Sequence, residues 1–286
     1  MRWSIYDLDE SETHSPRKHR AAIACVAGVL LGAAAGLIGV GGGEFRIPVL
    51  LYVLRLGVKN AAAVNLLVGL FTVVLAFARR WQMYPWSLEE VMFGAVLAAA
   101  SLCGSLFGAL MAHRVPDRPL RRVVIGYLLV VGIWMIYEAQ WHLEIVLVTL
   151  EGACRYVLAA GVAAIIGFLS SALGVAGGEM RIPVLMYVFG YDVKMAGTLS
   201  LLASIPTVGA GAATYRRLGH MPNWALTLAV IMGTGSLVGV LIGTSLLPYT
   251  DRRLLKTLLG TILLLASLFL AFPELRHRSP APPARQ

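Results

Sequence analysis

The sequence predicts an all-α, polytopic membrane protein of eight to ten membrane segments, built from two homologous halves with broken helices at the centre. Three observations predict it. Of the 286 residues, 58% are hydrophobic and only 14% charged, and the mean hydropathy is +0.76, outside the range of ordinary soluble domains. Several apolar stretches reach the roughly 17 to 25 residues needed to cross a bilayer as helix. A glycine-led stretch, GVGGGEFRIPVLLYV from Gly39, returns as GVAGGEMRIPVLMYV from Gly174.

In chain order, residues 1–20 read as a polar tail. A basic patch before an apolar run resembles a signal peptide, but this run, Ala21 to Val40, has a counterpart in Tyr156 to Val175 and is read as a retained helix. Further spans are Ala61 to Ala78, Val91 to Met111 and Leu120 to Tyr137, which complete a first repeat over 21–138. A connector over 139–155 carries Glu144 and Glu151 and reads as interfacial. The second repeat, 156–273, adds Ala196 to Tyr215, Trp224 to Leu247 and Leu254 to Phe272, and 274–286 form a C-terminal tail. With Arg46 placed on Arg181, Gly32 meets Gly167, Lys59 meets Lys194, and SLCGSLFG at Ser101 meets SLVGVLIG at Ser236.

Duplicated membrane halves are a transporter signature, because two related bundles can rock about a shared site. Counting each glycine-led stretch as a short crossing gives five segments per half and inverted repeats. Four per half gives parallel repeats, and then Arg114, Arg118, Arg121 and Arg122 face outward, against the positive-inside rule. The five-segment reading is therefore preferred. Both readings put the two termini on one side, the cytoplasmic side of the cell membrane. The net charge of +9 flanks membrane segments as an orientation signal and does not indicate nucleic acid.

Glycines end a membrane helix, and a proline a few residues on is tolerated in the first turn of a new one, where its missing N–H costs nothing. Pro48 and Pro183 are thus expected as structural restart points. The glycine amides and the positive end of the restarted helix dipole then point into the break, a geometry that attracts an anion. Broken backbone at that depth must line protein or a water-filled cavity. An arginine or glutamate near the bilayer centre costs about 2.5 to 3.5 kcal/mol, so Glu44, Arg46, Glu179 and Arg181 face inward. The candidate substrate-binding set is Gly42, Gly43, Glu44, Arg46, Gly177, Gly178, Glu179 and Arg181, with Asn65 and Ser200 in matching register. The arginines offer forked donors to an anion. The glutamates pair with them, cap the new helices or carry protons, and inverted halves would set Glu44 against Arg181 and Glu179 against Arg46. The alternative is that both pairs are architectural salt bridges. Gly104/Gly108 and Gly239/Gly243 are GxxxG pairs for close helix packing.

Cys25, Cys103 and Cys154 are scattered and form no CxxC pair. The six histidines fall in tails or connections. No HExxH, GxSxG or Walker loop is present, so no metal, cofactor or enzymatic activity is expected.

The glycine-rich GxGGG followed by a proline, once per half of a small all-helical membrane protein, resembles the sulfite exporter TauE/SafE family over about residues 20–273. The motif falls on Gly39, Gly41, Gly42, Gly43 and Pro48, and on Gly174, Gly177, Gly178 and Pro183. The resemblance implies ATP-independent export of small anions such as sulfite or organosulfur compounds. An anion channel or an importer of a related ion is the alternative. Ala176 replaces a motif glycine, and Glu44, Arg46, Glu179 and Arg181 stand where many members are apolar. The partners expected are a small anionic substrate and the lipid bilayer; proton coupling and a homodimer are compatible with this reading.

Overall fold

A computed structural model of the chain describes residues 17–111, 117–141, 152–173, 177–217 and 222–276, which form helices joined by short connections, with no strand among them. The first half comprises α1 (Arg17–Ile38), the short α2 (Gly43–Pro48) running on as a π-helical turn (Val49–Val53), α3 (Val58–Trp81), α4 (Leu88–Met111) and α5 (Asp117–Trp141). The second comprises α6 (Gly152–Leu173), the short α7 (Gly178–Tyr187), α8 (Val193–Arg217), α9 (Asn223–Leu246), a 3-10 turn (Leu247–Tyr249) and α10 (Arg252–Arg276). Among the described residues, eight helices, all but α2 and α7, are long and apolar enough to cross a membrane.

Helix ends reach past the apolar runs. α1 starts at Arg17, inside the expected polar tail, because arginine and lysine are good helix formers. α5 continues to Trp141 and α6 starts at Gly152, which leaves only 142–151 of the expected connector outside the described residues.

The two halves interlock. α1 packs along α9 and, equivalently, α6 along α4; α3 crosses α8, and α5 lies on α10. Small residues make the first two pairs very close. A Cβ built on Gly239 or Gly243 would sit 2.1 Å from the carbonyl oxygens of Val29 and Ala33, and one on Gly104 or Gly108 would sit 2.0 or 2.6 Å from those of Ala164 and Phe168. The expected GxxxG pairs are therefore backbone-to-backbone seams.

Directions follow from these contacts. Along α1 and α9 the contacts advance together, Gly28 against Met232 and Gly36 against Val240 and Thr244, so this pair is parallel. Corresponding helices of the two halves run oppositely: Leu66 meets Gly211 while Arg80 reaches Lys194 across α3 and α8, and Gly132 meets Leu263 while Glu138 meets Lys256 across α5 and α10.

The short helices turn back along their predecessors. Gly42 lies beside Leu31 and Ala35 of α1, and Arg20 at the start of α1 donates to the Leu54 carbonyl just past the π turn. That turn therefore ends where α1 begins. α7 ends at the opposite end of the bundle, where Tyr187 meets Glu138 near the end of α5. At about 15 Å, α7 is half the length needed to span hydrocarbon. The outer faces of the long helices carry Leu30, Phe107, Val130, Ile165, Leu241 and Leu268, as lipid contact requires.

Candidate functional site

Left-handed glycines set both breaks. Gly42 (φ 68°) and Gly177 (φ 71°) are the N-caps of α2 and α7, in a conformation that costs an L side chain roughly 1 kcal/mol or more. Space excludes a side chain as well, since a Cβ on Gly177 would fall 2.9 Å from the Ser170 Cβ. The helices restart at Gly43 and Gly178, so Pro48 and Pro183 are not the expected first-turn starts; both lie in the second turn. There each proline removes a helical N–H, and after Pro48 the backbone widens into the π turn, where the Leu54 N–H bonds to the Val49 carbonyl at 2.8 Å.

The start of α7 touches the first break. A Cβ on Gly178 would stand 3.4 Å from the Gly41 nitrogen, 3.5 Å from the Val40 Cα and 3.5 Å from Ser200 Oγ. The start of α7 thus abuts the break of the first half, and its amide end faces that contact.

Both arginines are fully buried here and dock on the next helix of their own half. Arg46 Nη1 donates to the Asn65 carbonyl at 3.3 Å and to Asn65 Oδ1 at 3.4 Å; its Nη2 donates to Thr72 Oγ1 at 3.3 Å and to the Gly41 carbonyl. Arg181 Nη1 donates to the Ser200 carbonyl and to Ser204 Oγ, both at 3.0 Å. The arrangement is matched, because Asn65 and Ser200 occupy equivalent places and Ser204 fills the space that Gly69 leaves beside Arg46.

The halves differ in what remains. Arg181 Nε and Nη2 make no hydrogen bond, nor does Ser200 Oγ, though all are buried. Glu179, also buried, lies in electrostatic reach of Arg181 within its own motif. The side chain of Glu44 is outside the described set, and so is the expected pairing of Glu44 with Arg181. Gly43 heads α2 as Gly178 heads α7. The structure therefore brings Gly178 and Ser200 against Gly41 of the other half, with Arg181 held on Ser200 and Glu179 in electrostatic reach of Arg181, while Arg46 binds Asn65 and the Gly41 carbonyl. No group of metal-ligating side chains occurs among the described residues.

Sequence reasoning missed three residues. Ser204 lies one turn beyond Ser200, and that spacing alone marked it as sharing the face. Arg80 is fully buried near the end of α3, where the pair Arg79–Arg80 reads as a membrane-edge signal. Glu138 lies one residue past the apolar run that ends at Tyr137, yet it is buried between Lys256 (Nζ to Oε1 2.6 Å) and the Tyr187 hydroxyl.

The sequence profile described as Sulfite exporter TauE/SafE matches residues 2–135 and 159–286. The chain belongs to this family. Proteins similar to the chain include a probable membrane transporter protein of Xylella fastidiosa (strain Temecula1), 26% identical over 252 residues that cover 85% of this chain and 91% of the relative. Another is the probable membrane transporter protein YjnA of Bacillus subtilis (strain 168), 25% identical, with 84% and 96% covered. A third, from Methanocaldococcus jannaschii, is 26% identical, with 83% and 91% covered. No solved structure matches the chain. As a TauE/SafE member with eight membrane-length helices, the protein is a multi-pass membrane transporter. Each profile match covers most of one half and so includes one of the two glycine-led motifs.

Proposed function

We propose that this protein is an ATP-independent secondary transporter that exports a small anion, such as sulfite or an organosulfonate, across the cell membrane by alternating access of two inverted halves. The reading is carried by the two unpartnered, buried donors of Arg181, held on Ser200 whose hydroxyl is also unpartnered, where the start of α7 meets the first glycine break. Spare guanidinium donors in the same neighbourhood as a hydroxyl and the first residue of α7 suit an oxyanion rather than a cation. Arg46, Asn65, Gly42 and Gly43 form the matching contact from the first half; Glu179 adjusts the charge beside Arg181, and proton coupling is assigned to the motif glutamates, Glu179 and its sequence counterpart Glu44.

Opposed directions support inversion: α3 against α8, α5 against α10, and short helices ending at opposite ends of the bundle. Inversion also keeps the basic connection around Arg118 and Arg122 on the side of the termini, as the positive-inside rule favours for a cytoplasmic face. Burial of Arg46, Arg181, Asn65 and Ser200 favours a carrier over a continuously open pore. With the cell interior negative, each negative charge that leaves gains about 2.3 kcal/mol per 100 mV, so export needs no ATP.

The test is sulfite, thiosulfate and methanesulfonate flux into proteoliposomes for the wild type, R46K and R181K. Variants that insert and melt like the wild type are expected to lose transport at least tenfold, because lysine cannot reproduce the fork. Unchanged flux in both would return the arginines to a purely architectural role, and absence of counterflow would replace the carrier by a channel.

A further inference from the structure

Arg80 is a fully buried guanidinium whose hydrogen bonds all go to neutral acceptors. Its Nε donates to the Gly36 carbonyl (3.1 Å), Nη2 to that of Leu37 (2.7 Å), and Nη1 to the Lys194 carbonyl (3.2 Å) and Thr198 Oγ1 (3.4 Å). Among the described residues no carboxylate forms an ion pair with it. The C-terminal carbonyls of α1 give it partial negative charge, but a whole counter-charge is missing where burial makes one most valuable.

Its position connects it to the proposed site. A Cβ on Gly197 would fall 2.6 Å from Arg80 Nη1 and 2.4 Å from the Ile38 carbonyl, while Gly39, first residue of the break, is in backbone contact with the same glycine. Gly197, Ser200 and Ser204 fall on one stripe of α8. Arg80 borders the first, and Arg181 binds the other two. The step from Gly197 to Ser200 is about 5 Å along the helix axis. The second half has Tyr215 in the register position of Arg80, so this cation belongs to one end of the bundle only.

We propose that Arg80 is a second anion contact, one step from the central site toward the end of the bundle where α3 terminates, and that it also acts as a clasp. In the closed state it ties α1 and α3 of the first half to α8 of the second through neutral acceptors. An oxyanion leaving Arg181 replaces the Lys194 carbonyl and Thr198 hydroxyl at Nη1 with stronger charge-assisted bonds, which releases α8 and opens that end. The ligand class is a small oxyanion that accepts from a guanidinium fork. This inference rests on the anion-transport reading.

The test is sulfite exchange in proteoliposomes, with wild type, R80K and R80Q compared for half-saturating concentration, maximal rate and melting temperature. R80Q is expected to raise the half-saturating concentration tenfold or more, and R80K, which keeps the charge without the fork, about threefold. A clasp with no anion contact predicts lower melting temperatures with an unchanged half-saturating concentration in both, and that result overturns the proposal. Should R80Q fail to insert, R80K alone decides, threefold against none. If the wild type exchanges neither sulfite nor thiosulfate nor methanesulfonate, the transport reading itself falls; if it exchanges them and both variants match it, only the Arg80 contact falls.

Discussion

The glycine seams give a prediction in which one substitution has opposite signs at two places. Gly239→Ala puts a methyl 2.1 Å from the Val29 carbonyl oxygen and 2.7 Å from the Ala33 nitrogen, both main chain of α1. An ordinary carbon–oxygen contact is about 3.3 to 3.6 Å, so the helices must separate by roughly 1.2 Å. Neither atom can rotate away. A gap of 0.5 to 1 Å already forfeits about a quarter to a half of the dispersion energy along a seam, and overpacking of this kind costs about 1 to 3 kcal/mol. Alanine returns at most about 1 kcal/mol of helix propensity, which leaves a net loss of about 2 kcal/mol at the upper end. Gly104→Ala, 2.0 Å from the Ala164 carbonyl, follows the same arithmetic in the equivalent pair. At Gly126 and Gly161, also inside helices, a new Cβ meets nothing within 4 Å. There the same change keeps the propensity gain and should stabilise by up to about 1 kcal/mol. The assay is the thermal midpoint of purified protein in mild detergent, followed by tryptophan fluorescence. At about 2 °C or more per kcal/mol for a chain of this size, the two classes should lie about 6 °C apart. Gly239→Ala and Gly104→Ala proteins as stable as Gly161→Ala would refute the claim that backbone contact holds the halves together.

Two other outcomes are expected. Lys256→Met should destabilise by about 3 kcal/mol in detergent unfolding, because it leaves buried Glu138 without its counter-charge, and Glu138→Gln should cost less, because Lys256 is only partly buried; the double variant should lose less than the sum, and simple additivity would count against a coupled pair. With native cysteines replaced, Gly57→Cys, after the first short helix, and Gly190→Cys, after the second, should react with impermeant maleimide from opposite faces of the membrane, since α2 and α7 lead to opposite ends of the bundle. Labelling from one face would restore parallel repeats.

Much of the site could be read from the chain because its logic is local. A run of glycines, a proline a few residues on and a Glu/Arg pair fall within a dozen positions, and the repeat register sets Asn65 and Ser200, the residues the two arginines reach, on equivalent places. The prolines were over-read: proline is compatible with a helix start, but backbone angle decides where a helix begins, and only Gly42 and Gly177 adopt the left-handed cap. Arg80 and Glu138 were invisible for the opposite reason. Both lie at the edges of apolar runs, where charge is ordinarily solvated, and each is buried by chain more than a hundred positions away, Thr198 and Lys256.

What the sequence determined by itself is the class: hydropathy requires membrane helices, because backbone polar groups in hydrocarbon must be satisfied within the segment, and the repeated motif requires two equivalent breaks. Tertiary structure alone decided that the start of α7 meets the first break, which donors of Arg181 make no hydrogen bond, and that α3 and α8, like α5 and α10, run in opposite directions. Those facts depend on contacts between residues far apart in the chain, made at backbone distance through glycine, the residue that leaves the least trace in a hydropathy pattern.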